Sequence, residues 1–85
     1  MRVFYKDKFE KKFGKLNFKI QNQFYGRLDI FIEDKFNFLL NNHSVEKRFP
    51  DCRSINITGD YRAIFKDKND IVTFVNIGTH SELYK

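Results

Sequence analysis

The sequence predicts an α+β domain of order β-α-α-β-β-β, a twisted, mainly antiparallel sheet with a helical hairpin packed on one face. Three observations predict it. Apolar residues recur every three or four positions between Asp7 and Asp34. They alternate from Arg53 onward, so the period changes from helical to extended. Gly59-Asp60 and the polar run Asp67–Asp70 interrupt the alternating half as turns. A chain of 85 residues makes one domain, residues 1–85, with one modest core. Eleven Phe and four Tyr require that core to be largely aromatic.

Each element has its own warrant. Arg2–Tyr5 reads as a short first strand. From Asp7, the spacing of Phe9, Phe13 and Leu16 gives one apolar helix stripe. Gly14 inside it costs about 1 kcal/mol relative to Ala and points to an end near Asn17. Ile20, Phe24, Leu28, Phe31 and Ile32 share one face of a second helix between Phe18 and Asp34. Gly26 at its middle marks a place for the first helix to approach. Lys35–Asp51 has no period and holds Asn37, Asn41, Asn42, Ser44 and the only proline, Pro50. It reads as a long connecting segment, of a kind often functional, its first half pinned to the core by Phe36, Phe38, Leu39 and Leu40.

Arg53–Thr58 is the second strand, with Ile55 and Ile57 on one face and Ser54 and Asn56 on the other. Tyr61–Lys66 is the third and Ile71–Ile77 the last. The face away from the helices is expected to be open and to receive the polar positions. Beside a long loop and the C-terminal segment, such a concave, half-polar face is the expected site.

Sixteen Lys+Arg against eleven Asp+Glu give a net charge of +5 and a pI near 9.4, which favours a polyanionic partner: RNA, DNA or an acidic protein. Arg2, Lys6, Lys8, Lys11, Lys12, Lys15 and Lys19 face only Asp7 and Glu10 in the first 19 positions. The alternative is a solvated helix face that keeps a Phe-rich protein soluble. No apolar run reaches the ~18 residues of a membrane span. The opening MRVFYKDKFEKK lacks the apolar stretch of a signal peptide. One unpaired cysteine, Cys52, fits a reducing compartment, so a cytoplasmic protein is expected. His43 and His80, with one cysteine, make no recognised metal spacing, and there is no phosphate-cradling glycine loop or nucleophile elbow. Neither metal nor cofactor is expected.

RNA cleavage without a metal needs a base for the ribose 2′-OH, an acid for the departing 5′-oxygen, and a cation for the phosphorane. Histidine suits both proton transfers because its ordinary pKa, about 6.5, lies near working pH. His43 lies in the long connector and His80 near the C-terminus; only their convergence would make them a pair. Asp60 is either ordinary turn chemistry or an acceptor that orients an imidazole or acts as base. Arg62, opposite in phase to Tyr61, Ala63 and Phe65, is a surface cation or a bidentate phosphate clamp. Thr79-His80-Ser81-Glu82 fits a capping box for a short helical turn, which must dock to be stable. Tyr84 is then its anchor or a ring for stacking on a base. Lys47, Arg48 and Arg53 can track a phosphate backbone. Cys52 reads as structural rather than reactive.

Three stretches carry a family resemblance. They are Asn41-Asn42-His43-Ser44-Val45, the run from Cys52 through Arg53-Ser54-Ile55-Asn56-Ile57-Thr58-Gly59-Asp60-Tyr61-Arg62 to Phe65, and Ile77-Gly78-Thr79-His80-Ser81-Glu82-Leu83-Tyr84. Together they resemble the RelE/ParE superfamily of type II toxins, most closely its YafQ-like branch of mRNA interferases. The resemblance implies a RelE-like fold and an endoribonuclease that enters the ribosomal A site and cuts mRNA, using no metal. It implies inhibition by a cognate antitoxin, acidic in the segment that wraps the toxin, and a complex able to bind operator DNA. The family's loop histidine falls on His43, its aspartate on Asp60, its tail histidine on His80 and its terminal aromatic on Tyr84. The best-known members of the branch carry another histidine in the second strand, where this chain has Asn56. Asparagine can bind RNA through hydrogen bonds but cannot act as a base near neutral pH. The superfamily also includes gyrase-poisoning members that act by binding, so a gyrase-targeting toxin and an inactive toxin that only binds its antitoxin are the alternatives.

Overall fold

The computed structural model describes residues 1–85. The elements are β1 (Arg2–Tyr5), α1 (Asp7–Gly14), α2 (Phe18–Glu33), a 3₁₀ turn (Phe38–Leu40), β2 (His43–Ser44), β3 (Arg53–Asn56), β4 (Tyr61–Lys68), β5 (Ile71–Thr79) and α3 (His80–Leu83). The five strands form one sheet in the order β1-β5-β4-β3-β2. Only β1 and β5 run parallel; the other neighbours are antiparallel.

The helical hairpin forms for local reasons. α1 ends where Gly14 lowers helix propensity. Asn17 then caps α2, its side chain accepting the Ile20 N–H at 3.0 Å. Phe9 of α1 and Phe24, Leu28 and Phe31 of α2 are buried against Ile55, Ile57, Ala63, Phe65, Val72, Phe74 and Ile77 of the sheet side. Phe74 is the hub. Its ring centroid lies 5.3 Å from Phe24, 5.6 Å from Phe9, 5.7 Å from Phe65 and 6.0 Å from Phe31, within the range of favourable aromatic pairs.

β4 and β5 pair from Tyr61↔Thr79 to Lys68↔Ile71, with a β-bulge where Ile64 pairs with Asn76 but Phe65 pairs with Phe74. Val75 is the extra residue. The bulge inverts the phase of β5, so Phe74 and Ile77 both face the helices while Asn76 sits opposite Ile64 on the other face. Lys35 ties the connector to this hairpin, its Nζ lying 2.8 Å from Asp67 and 2.6 Å from Asp70.

Several expectations need correction. The connector is not all loop, since it contains the 3₁₀ turn and the edge strand β2, too short for any periodicity to mark. Of the four apolar residues in its first half only Leu40 is buried; Phe36, Phe38 and Leu39 are 62%, 86% and 45% exposed. Ile32 is also exposed and Ile20 only half-buried, so the core stripe of α2 is narrower than its apolar pattern. Gly26 has nothing near it, so α1 does not pack there. The second strand stops at Asn56, while the last two run to Lys68 and Thr79. Finally, the second sheet face is partly covered: Val45, Cys52, Ile64 and Leu83 form a small apolar cluster, flanked by Phe49, Val75 and Tyr84.

Because Phe74 has aromatic neighbours from both helices and β4, Phe74→Ala should cost about 3–5 kcal/mol. Urea unfolding should show a sharply lowered midpoint or an already unfolded chain.

Candidate functional site

On the sheet face away from α1 and α2 lies a hollow of about 740 Å³, lined by Asn41, His43, Ser44, Val45, Glu46, Lys47, Arg48, Ser54, Arg62, His80 and Tyr84. Three parts of the chain, far apart in sequence, build it. The β2 segment brings His43, strand β4 brings Arg62, and α3 brings His80.

His43 pairs with Ser54 across β2 and β3. Just before it, Asn41 closes the 3₁₀ turn at a left-handed φ of 48°, a conformation asparagine tolerates. His43 Nδ1 lies 2.7 Å from the Asn41 carbonyl oxygen. That oxygen can only accept, so Nδ1 carries the proton and a neutral ring presents Nε2 as a free lone pair.

The Arg62 guanidinium is held by the turn that precedes it. Nη1 donates to the carbonyls of Thr58 and Tyr61 at 3.0 and 3.1 Å, and Nη2 donates to Gly59 at 3.1 Å. Two of its five donors, Nε–H and one Nη2–H, are not used in these bonds. An arginine so held presents fixed donors to an anion rather than sweeping through solvent.

His80 opens α3. The capping box expected from the sequence is present, with Thr79 Oγ1 accepting the Glu82 N–H at 3.2 Å and Glu82 Oε1 accepting the Thr79 N–H at 2.8 Å. The Thr79 N–H holds the Glu82 carboxyl below its usual pKa, helped by the Lys12 charge. That contribution is present above the unfolded-state pKa and is lost as pH falls through the lowered folded one. At the other end, Arg48 Nε donates to the Leu83 carbonyl at 2.9 Å. Leu83 is buried in the small cluster. The His80 ring stacks on Tyr84 with centroids 4.7 Å apart, and Tyr84 meets Phe49 edge-on at 6.1 Å.

The hollow thus brings together His43, His80, Arg62, Tyr84, Lys47 and Arg48. It does not bring in three other candidates. Asp60 offers its backbone carbonyl to the His80 N–H at 3.0 Å, but its exposed carboxylate lies outside the lining and ion-pairs with neither histidine. Arg53 lies on the opposite side of β3 from Ser54, bonded to Asn42 Oδ1 at 2.7 Å with its guanidinium 5.5 Å from the Phe36 ring. Asn56 pairs with Arg62 across the strands, half-buried, and its Oδ1 has no hydrogen-bond partner. The Tyr84 ring is stacked on His80 and packs against the small apolar cluster. Burial raises the Cys52 thiol pKa, which suits a structural role rather than a reactive one.

Sequence reasoning passed over Ser54. It is fully buried, it lines the hollow beside His43, and its Oγ has no partner. The only available signal was its phase, shared with Asn56 on the polar face. No three His, Cys, Asp or Glu side chains gather as a metal-ligand set, and no helix is long and apolar enough to cross a membrane.

Residues 3–84 match the family model described as the ParE toxin of the type II toxin-antitoxin system parDE. No curated protein matches significantly. Among solved structures, YafQ from E. coli strain BL21(DE3) is 20% identical, with 100% of each chain covered and a TM-score of 0.80. The E. coli DinJ-YafQ complex gives 20% identity over 100% of each chain and a TM-score of 0.79. The RelB-RelE antitoxin-toxin complex from Methanococcus jannaschii gives 16%, covering 96% of this chain and 95% of that one, with a TM-score of 0.75. These likenesses establish the fold. With the family match spanning nearly every residue, the chain belongs to the ParE toxin family and is the toxin of a type II toxin-antitoxin system, built on the fold of YafQ and RelE.

Proposed function

We propose that the protein is an endoribonuclease that cleaves mRNA, in the ribosomal A site, by attack of the ribose 2′-OH on the adjacent phosphate. The carrying observation is that two imidazoles and a carbonyl-anchored guanidinium line one hollow on a chain of net charge +5. His43, protonated on Nδ1, takes the 2′-OH proton on Nε2. His80 gives a proton to the departing 5′-oxygen. Arg62 directs Nε–H and its spare Nη2–H at the non-bridging oxygens, where the phosphorane gathers charge. The products are a 2′,3′-cyclic phosphate and a free 5′-OH, and no step requires a metal. Lys47 and Arg48 at the rim attract the flanking phosphates. Asp60 takes no proton in this scheme. The resemblance to the mRNA-cleaving branch supports the choice of target.

A second reading has its own support. The matching family model is that of ParE, and Asn56 stands where relatives in the cleaving branch carry a histidine. A toxin that binds gyrase, or one that only binds its antitoxin, would use the hollow without proton transfer.

The inhibitor is a cognate antitoxin, as in the DinJ-YafQ and RelB-RelE complexes of the same fold. We place its amphipathic, acidic helix in the groove of about 400 Å³ lined by Gln23, Gly26, Arg27, Ile30, Leu39 and Ile57. Phe38, next to Leu39 in the chain and 86% exposed, offers an unpartnered ring beside that lining residue, and Arg27 supplies positive charge. Gly26, which meets nothing in the chain itself, lets a partner backbone come close. Bound at pH 7 and moderate salt, Phe38→Asp should weaken antitoxin affinity roughly 30-fold or more, the scale of an interface hot spot. Cleavage should be unchanged; undiminished antitoxin affinity would place the partner elsewhere.

His43→Gln and His80→Gln should each lower RNA cleavage about 10²–10⁴-fold, and wild-type turnover should fall on both the acidic and the alkaline side of neutrality. Mapping 5′ ends of cellular RNA after induction should show cuts within translated messages for the parent and none for His80→Gln. Equal cutting by both, or a DNA-damage response with intact mRNA, would remove this assignment.

A further inference from the structure

Lys12 leaves α1 and reaches the end of β5, where its Nζ donates to Asn76 Oδ1 at 2.8 Å. The same oxygen accepts the Ile77 N–H at 2.9 Å. The Lys12 ammonium also stands directly over Gly78. A methyl group added there would lie 3.2 Å from Lys12 Nζ and 3.2 Å from Glu82 Oε1. Glycine at this position therefore leaves room for the ammonium and the carboxylate to lie on either side of the same spot above the strand, without a direct ion pair between them. That carboxylate is the one that closes the capping box with Thr79.

The other lysines of α1, Lys8 and Lys11, are exposed, whereas Lys12 is half-buried. Burial lowers the Lys12 pKa and the Glu82 charge opposes that shift. An ammonium meant for bulk phosphate would have no reason to be directed at Asn76. The four-residue helix α3 is also far too short to stand alone. Arg48 and buried Leu83 hold its far end; at the near end, from which His80 projects, the His80 N–H is bonded to the Asp60 carbonyl and the Asn76–Gly78–Glu82 corner packs beside it.

We propose that Lys12 is a positioning residue for the His80 imidazole. Its ammonium orders the corner over Gly78 and keeps Glu82 in the capping box, and so sets where the His80 ring stacks on Tyr84. The role in turnover rests on the reading of His80 as the general acid, but the effect on the ring can be measured without RNA.

The test compares Lys12→Met, Lys12→Arg and Lys68→Met in the full chain. Lys68→Met makes the same charge change at the exposed end of β4. NMR would follow the His80 ring protons, displaced in the parent by the Tyr84 ring current, and steady-state cleavage of an oligoribonucleotide would give kcat and KM. Lys12→Met should move the His80 signals toward unstacked positions and lower kcat roughly 10–100-fold, the scale of a misplaced catalytic group, with KM near that of the parent. Lys12→Arg should recover part of both effects, and Lys68→Met should change neither. Unaltered His80 signals in Lys12→Met overturn the proposal. So does a raised KM with unchanged kcat, which would make Lys12 a phosphate contact. If the parent cleaves no RNA yet Lys12→Met still moves the signals, the positioning role stands and the nuclease reading alone falls.

Discussion

Asn69 and Asp70 both adopt left-handed backbone angles, with φ of 53° and 65°. The two-residue turn they make pairs Lys68 with Ile71 and so sets the register of the longest strand pair in the sheet. Everything on either face inherits that register. A slip by one residue would carry Phe65 out of the core and bring Arg62 and Ile64 into it. The aromatic cluster around Phe74 supplies the energy that forbids the slip. Lys35, held between Asp67 and Asp70, ties the turn to the connector after α2.

The bulge at Val75 makes the same strand useful on both faces. Before it, β5 delivers Val72 and Phe74 to the helices; after it, Ile77 continues the core while Asn76 and Gly78 take the opposite face, paired with Ile64 and Arg62. The strand then runs straight into the turn that bears His80, whose N–H is bonded to the Asp60 carbonyl at the opposite end of the β4 pairing. The site is therefore assembled by sheet register, with little local rigidity of its own. α3 gains its order from Leu83, Arg48 and the capping box, and β2 gains its order from pairing with β3.

Much of this was readable from residues. The span of α2 followed from its apolar face, although α1 stops at Gly14 rather than near Asn17; the hairpin turns followed from Gly59-Asp60 and Asp67–Asp70, and the capping box from Thr79 and Glu82. Two-fold alternation placed Ser54, Asn56 and Arg62 on one face. What alternation could not show was the phase inversion at Val75, because a bulge depends on the partner strand. Nor could it show that Phe36, Phe38 and Leu39 stay exposed: apolar character alone does not say whether the surface that covers a residue belongs to its own chain. His43 and His80 could be named as a pair only by chemistry, since their convergence depends on β2, which is two residues long. Asp60 and Arg53 attracted attention by type and sequence position, yet the geometry sends one carboxylate outward and the other side chain to the far side of β3.

The proposed cleavage requires one nucleotide to touch both imidazoles at once. The most direct measurement is a crystal structure of the protein with an oligoribonucleotide carrying a 2′-deoxy sugar at the cut position, which cannot react. One phosphate is expected in the hollow beside Arg62, with the 2′ carbon facing His43 Nε2 and the 5′-oxygen facing His80. A phosphate backbone that runs along another face, leaving either ring untouched, would contradict it.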